Sequence, residues 1–119
     1  MRRPDNEALL ADMLIAAREA RALASDASFE DFLDDRKLQL ALEKLLENIG
    51  EAASRVAPEV LAALPELPWR DIVGMRHRLV HDYMNINLAK LWEVIERDLA
   101  PLIAAIEPLV APERPPDAG

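Results

Sequence analysis

Both histidines of the chain, two of its arginines and its single tyrosine fall in one short run, Gly74-Met75-Arg76-His77-Arg78-Leu79-Val80-His81-Asp82-Tyr83. Imidazole exchanges protons near neutral pH. Guanidinium offers a planar fork of donors that matches a phosphate. Together they can cleave RNA without a metal. A histidine removes the 2′-hydroxyl proton, and an arginine holds the charge that develops on phosphorus. Arg76, His77, His81 and Tyr83 are the candidate site residues. Clusters of ionisable groups also serve structure and interfaces. Residue types alone favour that plainer role.

The elements around the cluster set its geometry. Pro68 sits near the start of a helix that Trp69 opens. Its apolar stripe is Trp69, Ile72, Val73, Arg76, Leu79 or Val80, and Tyr83. On one straight helix Arg76 and Tyr83 lie within about 20° of each other and roughly 10 Å apart along the axis. Arg76 then sits on the apolar stripe, where an unpaired guanidinium is costly. It needs a carboxylate, a phosphate or a protein interface. His81 lies about 140° around the same helix from Arg76. Either the helix unwinds near His81 or a second subunit completes the site. This favours a homodimer with the segment at its two-fold axis. A break is expected at Met84–Asn87, with Asn87 as the next N-cap.

Other chemistries fit less well. His77 and His81 have the i, i+4 spacing of zinc helices, but Arg78 stands where the metalloprotease motif has Glu. The chain has no Cys. No metal site and no cofactor are expected. Three glycines cannot make a phosphate-binding loop. Glu43, Glu47 and Glu51 form a row at spacing four. It reads as a solvated face, as a source of a partner for Arg76 (Glu51 being best placed), or as an acidic docking strip.

The chain is 119 residues long, enough for one domain. It is 51% apolar but only 4% aromatic, so the core must be aliphatic. Abundant Ala and Leu indicate an all-α fold. A first helix runs from Pro4 or Asp5 to Ala24, with Leu9, Met13, Ala16 or Ala17, Ala20 and Leu23 on one stripe. Ser28 and Asp31 form a capping-box pattern that starts a short helix. A long helix spans Asp34–Ala57, and its Leu38, Leu42, Leu45, Ile49 and Val56 line one side. Between Pro58 and Pro68 only a turn or two of helix fits. The last helix carries Leu88, Leu91, Trp92, Ile95, Leu99, Leu102 and Ile106, with a kink at Pro101. Gly50 and Gly74 each weaken a helix, and close helix packing is their plainest explanation. Residues 1–107 form the helical domain. Residues 108–119 hold four of the nine prolines and read as a disordered tail.

The formal charge of −8 argues against a broad nucleic-acid platform. It leaves room for a small basic cleft or a basic protein partner. No apolar run approaches the roughly 20 residues of a membrane helix. The N-terminal stretch lacks a signal-peptide core, so a cytoplasmic location is expected.

At the histidine cluster the sequence resembles the HepT-like family of HEPN-domain ribonuclease toxins. That family's pattern is Arg, four residues, His, any residue, Tyr, and here it is carried by Arg76, His81 and Tyr83. Asn48-Ile49-Gly50-Glu51-Ala52-Ala53 resembles a segment of the family's long helix. Pro68 to Arg76 resembles its approach to the active site. Asn87-Leu88 followed by Trp92 resembles the opening of its last helix, where Asp is the more usual cap. The likeness covers roughly Leu38–Ile106. It implies an antiparallel bundle of about four to five helices, dimerised with two motifs facing one cleft. It implies a metal-independent endoribonuclease toxin, with His81 as acid/base, Arg76 on the phosphate and His77 shaping the site. It also implies an MNT-type nucleotidyltransferase as antitoxin, transferring AMP to Tyr83. Tyr83 could equally be a packing residue with its hydroxyl bonded at the cleft edge. The alternative reading of the whole is a non-catalytic helical module that binds a nucleotide or that partner.

Overall fold

The computed structural model describes residues 5–75, 80–82 and 85–110, the side chains of 80–82 and 85 excepted. Its first helix, α1, spans Asn6–Ala24. Asp5 caps it by accepting the Glu7 N–H at 3.1 Å. The expected stripe is buried except at its end: Ala24 is buried and Leu23 is 48% exposed. Seven residues after Ala17, Ala24 returns to the same side of the helix, whereas Leu23 falls roughly 120° away.

The capping box at Ser28 and Asp31 is present in both directions and starts α2, Phe29–Leu33. Asp35 then caps α3, Arg36–Arg55, through the Leu38 N–H. The one buried polar side chain among the described residues, Gln39, ties these two helices together. Its amide donates to the Phe32 and Leu33 carbonyls at 3.0 and 3.1 Å. Both belong to the last turn of α2, where carbonyls lack a full set of helical partners; that of Phe32 also accepts the Asp35 N–H at 3.2 Å.

Helices α1 and α3 share the most extensive packing in the fold. They run antiparallel, since Asn6 at the start of α1 accepts the Ala57 N–H just past the end of α3. Between them lie Met13, Ala17 and Ala20 of α1 and Leu42, Leu46 and Ile49 of α3, none of them exposed. Small residues on α1 let the two backbones approach, and long aliphatic ones on α3 fill the space.

Two five-residue helices follow, α4 (Pro58–Ala62) and α5 (Trp69–Val73). The chain then departs from the expected helix through Tyr83. Gly74 caps α5, and residues Val80–Asp82 (β1) pair antiparallel with Asn85–Ile86 (β2). Val80 and Ile86 lie opposite each other. Both are β-branched, which disfavours helix and suits a strand, and Asp82 and Asn85 are poor helix formers as well. The angular relations of a straight helix therefore do not apply between Arg76 and His81.

Asn87 caps α6, Leu88–Glu93, by accepting the Lys90 N–H at 3.1 Å. A widened π-type turn, Val94–Asp98, leads into α7, Leu99–Ile106. The expected disturbance at Pro101 thus lies one turn earlier. In a regular helix the proline ring would strike the Arg97 carbonyl, and Arg97 is within the widened turn. Arg21 of α1 donates to the Ile95 carbonyl of that turn at 3.3 Å. A 3-10 turn, Glu107–Leu109, brings the chain to Val110, which packs against the core.

Among the described residues the architecture is helical, apart from connecting turns and the short β1–β2 pairing. With α6, the widened turn and α7 taken as one, the described residues form six helical segments, three long and three of five residues, against an expected four to five. None of them is long and apolar enough to cross a membrane.

Candidate active site

The motif segment is bracketed by core-packed residues, Met75 before it and Ile86 after it. Met75, immediately before Arg76, is 3% exposed. Ile86 and Leu88, on either side of the Asn87 cap, pack against the core. The residues flanking the segment are therefore held by apolar contacts and a cap.

The first anchor is built by a glycine. A Cβ on Gly50 would lie 2.9 Å from the Ile72 carbonyl oxygen and 3.3 Å from the Met75 Cβ. Only a residue without a side chain lets α5 settle this closely on α3. Gly74 caps α5, and among the described residues a Cβ there would meet the Arg70 carbonyl of its own helix, at 3.1 Å. Trp69 fixes the approach to α5, its indole N–H donating to the Leu64 carbonyl at 2.9 Å.

Beside this anchor a groove of about 430 Å³ runs along α3, lined by Lys44, Glu47, Asn48, Glu51, Ser54 and Val73. A second groove of about 360 Å³ lies between α1 and α3 and shares Asn48 and Glu51 with the first. The acidic row does not face solvent uniformly. Glu43 and Glu47 are half-buried, and Glu51 is exposed at the join of the two grooves. Lys44, Asn48 and Ser54 were not singled out as site residues by the sequence reasoning. Each lies three or seven residues from Glu47 or Glu51 along α3, which puts it on or beside their face, a signal hidden by their mixed chemistry.

Arg76, His77 and Tyr83 lie outside the described residues, and for His81 only the backbone, in β1, is described. A pairing of Glu51 with Arg76 falls outside them too. The structure thus fixes the frame that carries the motif and the groove next to that frame.

Fold and frame define a small antiparallel helical module that holds an arginine–histidine segment between two core-anchored points. A family model described as "Ribonuclease HepT-like" matches residues 13–109, from within α1 to the 3-10 turn. The chain belongs to this family. It is 34% identical over 100 residues to a protein of Thermococcus cleftensis described as "Probable ribonuclease HepT", covering 84% of this chain and 91% of that one. A provisionally named RNase of Methanocaldococcus jannaschii is 28% identical over 107 residues, 90% of this chain and 98% of its own. Another, from Caldanaerobacter subterraneus subsp. tengcongensis, is 34% identical over 87 residues, 73% of this chain and 78% of its own. No solved structure matches. The enzyme class expected from the sequence, a ribonuclease, is the one the family description carries.

Proposed function

We propose that the chain is a metal-independent endoribonuclease, the toxin of a toxin–antitoxin pair, working as a homodimer in the cytoplasm. The observation that carries this reading is the family match over residues 13–109, which takes in a complete Arg76-x4-His81-x-Tyr83 motif. The anchoring of the motif segment at Met75 and Ile86 supports it, because catalytic groups work best when their frame is rigid.

In the proposed reaction an imidazole of His81 takes the proton from a ribose 2′-hydroxyl. The 2′-oxygen attacks the adjacent phosphorus. Arg76 holds the non-bridging oxygens as charge builds on them. The bond to the 5′-oxygen breaks, and that oxygen receives a proton from the His81 of the second protomer. The products are a 2′,3′-cyclic phosphate and a 5′-hydroxyl. His77 shapes the site. A nucleotidyltransferase antitoxin of the MNT type transfers AMP from ATP to the Tyr83 hydroxyl. The added bulk and negative charge then exclude RNA phosphate from the cleft.

Purified chain and His81→Ala are compared on a mixed RNA substrate with EDTA present. The expected loss is about 10²- to 10⁴-fold, the usual weight of a general acid/base. Equal activity in both proteins, or none in either, removes the catalytic assignment. Incubation with ATP and the partner should add the mass of AMP to the chain and leave Tyr83→Phe unchanged.

A second reading is favoured by one specific feature. The groove beside the motif frame is lined by Glu47 and Glu51 as well as Lys44. Carboxylates repel a phosphate backbone, which suits a non-catalytic module that binds a protein partner. In that case the chain binds the partner and cuts no RNA.

A further inference from the structure

A separate cavity opens on the far side of α5, between the Leu64–Trp69 approach and the start of α7. Its apolar wall is Leu67, Ile72, Met75, Leu99 and Leu102, each 6% exposed or less. Its volume is about 200 Å³. A pocket for a whole small-molecule ligand holds roughly 300–1,000 Å³, whereas about 150 Å³ is enough for one benzene ring. The size therefore suits a single large side chain better than a free metabolite. Three acids, Glu66, Asp71 and Asp98, are exposed along its edge, and among the described residues no basic one lines it.

We propose that this cavity is a docking site for a protein partner, which inserts one aliphatic side chain flanked by lysine or arginine. The apolar wall supplies the affinity and the carboxylate rim selects the flanking charge. The same rim disfavours RNA, whose phosphates it would repel. Met75 is part of the wall and is followed directly by Arg76, so a bound partner would lie against the root of the motif segment. The proposal stands without the ribonuclease reading, since it concerns binding alone.

The test uses the full chain and fluorescein-labelled peptides, Gly-Arg-Lys-Leu-Lys-Arg-Gly and the same peptide with Ser in place of Leu. The leucine peptide should bind about tenfold tighter or more, as expected for burying one such side chain. Its affinity should fall at least as far for the double variant Glu66→Lys, Asp98→Lys, whose fold is checked by circular dichroism. Amide exchange should slow at 72–75 and 99–102 when the leucine peptide is added. Equal affinity for the two peptides overturns the proposal. So does unchanged binding by the double variant, protection confined to other helices, or displacement of the peptide by a short RNA.

Discussion

At Gly50 a missing side chain decides how closely two helices meet. Replacing it with Ala would raise local helix propensity by about 1 kcal/mol. The new Cβ would also press on the Ile72 backbone carbonyl, 2.9 Å away, which cannot rotate aside. Such overpacking costs about 1–3 kcal/mol, so we expect Gly50→Ala to be net destabilising in urea denaturation. Gln39 is the second decisive residue. Gln39→Leu removes the side-chain donor from both carbonyls closing α2; the Phe32 carbonyl keeps the Asp35 N–H and the Leu33 carbonyl loses its bond, a cost of about 1–3 kcal/mol. Gln39→Glu would set a carboxylate against those same carbonyls. Its penalty relative to the native chain should be greater at pH 7 than at pH 4. The buried acid prefers its protonated form, which can still donate, so the variant recovers stability as pH falls. A penalty that does not change with pH would show that residue 39 moves out to solvent. The sequence named Gly50 as a packing glycine, and contact with α5 bears this out. It gave Gly74 the same explanation; among the described residues Gly74 caps α5.

Caps set the element boundaries. Asp5, Ser28, Asp35 and Asn87 each accept a backbone N–H at the start of a helix. These short polar side chains compete with the helix interior and favour its end. Asn87 matters most for the site, because it restarts the helix directly after the β1–β2 pairing. Asn87→Ala should cost about 1 kcal/mol, and Asn87→Asp should cost nothing or stabilise slightly through the helix dipole. Thermal melts of the three proteins check the order Asp at or above Asn, with Ala lowest. The capping box at Ser28 and the break before Asn87 were legible because their signals span four residues or fewer. The early end of α5 was less legible. Apolar residues continue from Ile72 to Tyr83 at near-helical spacing, and a periodic stripe does not reveal that Val80 and Ile86 have each other as partners. The widened turn before Pro101 is a similar case. The proline announces a disturbance, and packing chooses where the helix absorbs it.

Across the whole molecule an aliphatic core is balanced against a surplus of negative charge. Leu42, Leu46 and Ile49 are fully buried beneath α1. Ile49→Ala should therefore cost about 2–5 kcal/mol, a large part of the stability of a domain this size. The net charge of −8 acts in the opposite sense to that core. Like charges repel in the compact state, and salt screens them. Raising NaCl from low ionic strength to 0.5 M should lift the melting temperature by a few degrees. The same salt should slow RNA cleavage, since phosphate contacts weaken as counterions are added. A melting temperature that falls with salt would mean that pairs such as Arg18–Glu107 outweigh the repulsion.

Helix periodicity, capping and the spacing of Arg76, His81 and Tyr83 depend on residues a few positions apart, and so they can be read along the chain. The helical class, the long α1 and α3 and the family likeness were determined in this way. The tertiary structure alone decided that Leu23 faces outward, that Gly50 admits a neighbouring helix, and that the backbone is extended at Val80. Each of these depends on atoms brought close by distant parts of the chain, a contact that no local pattern encodes.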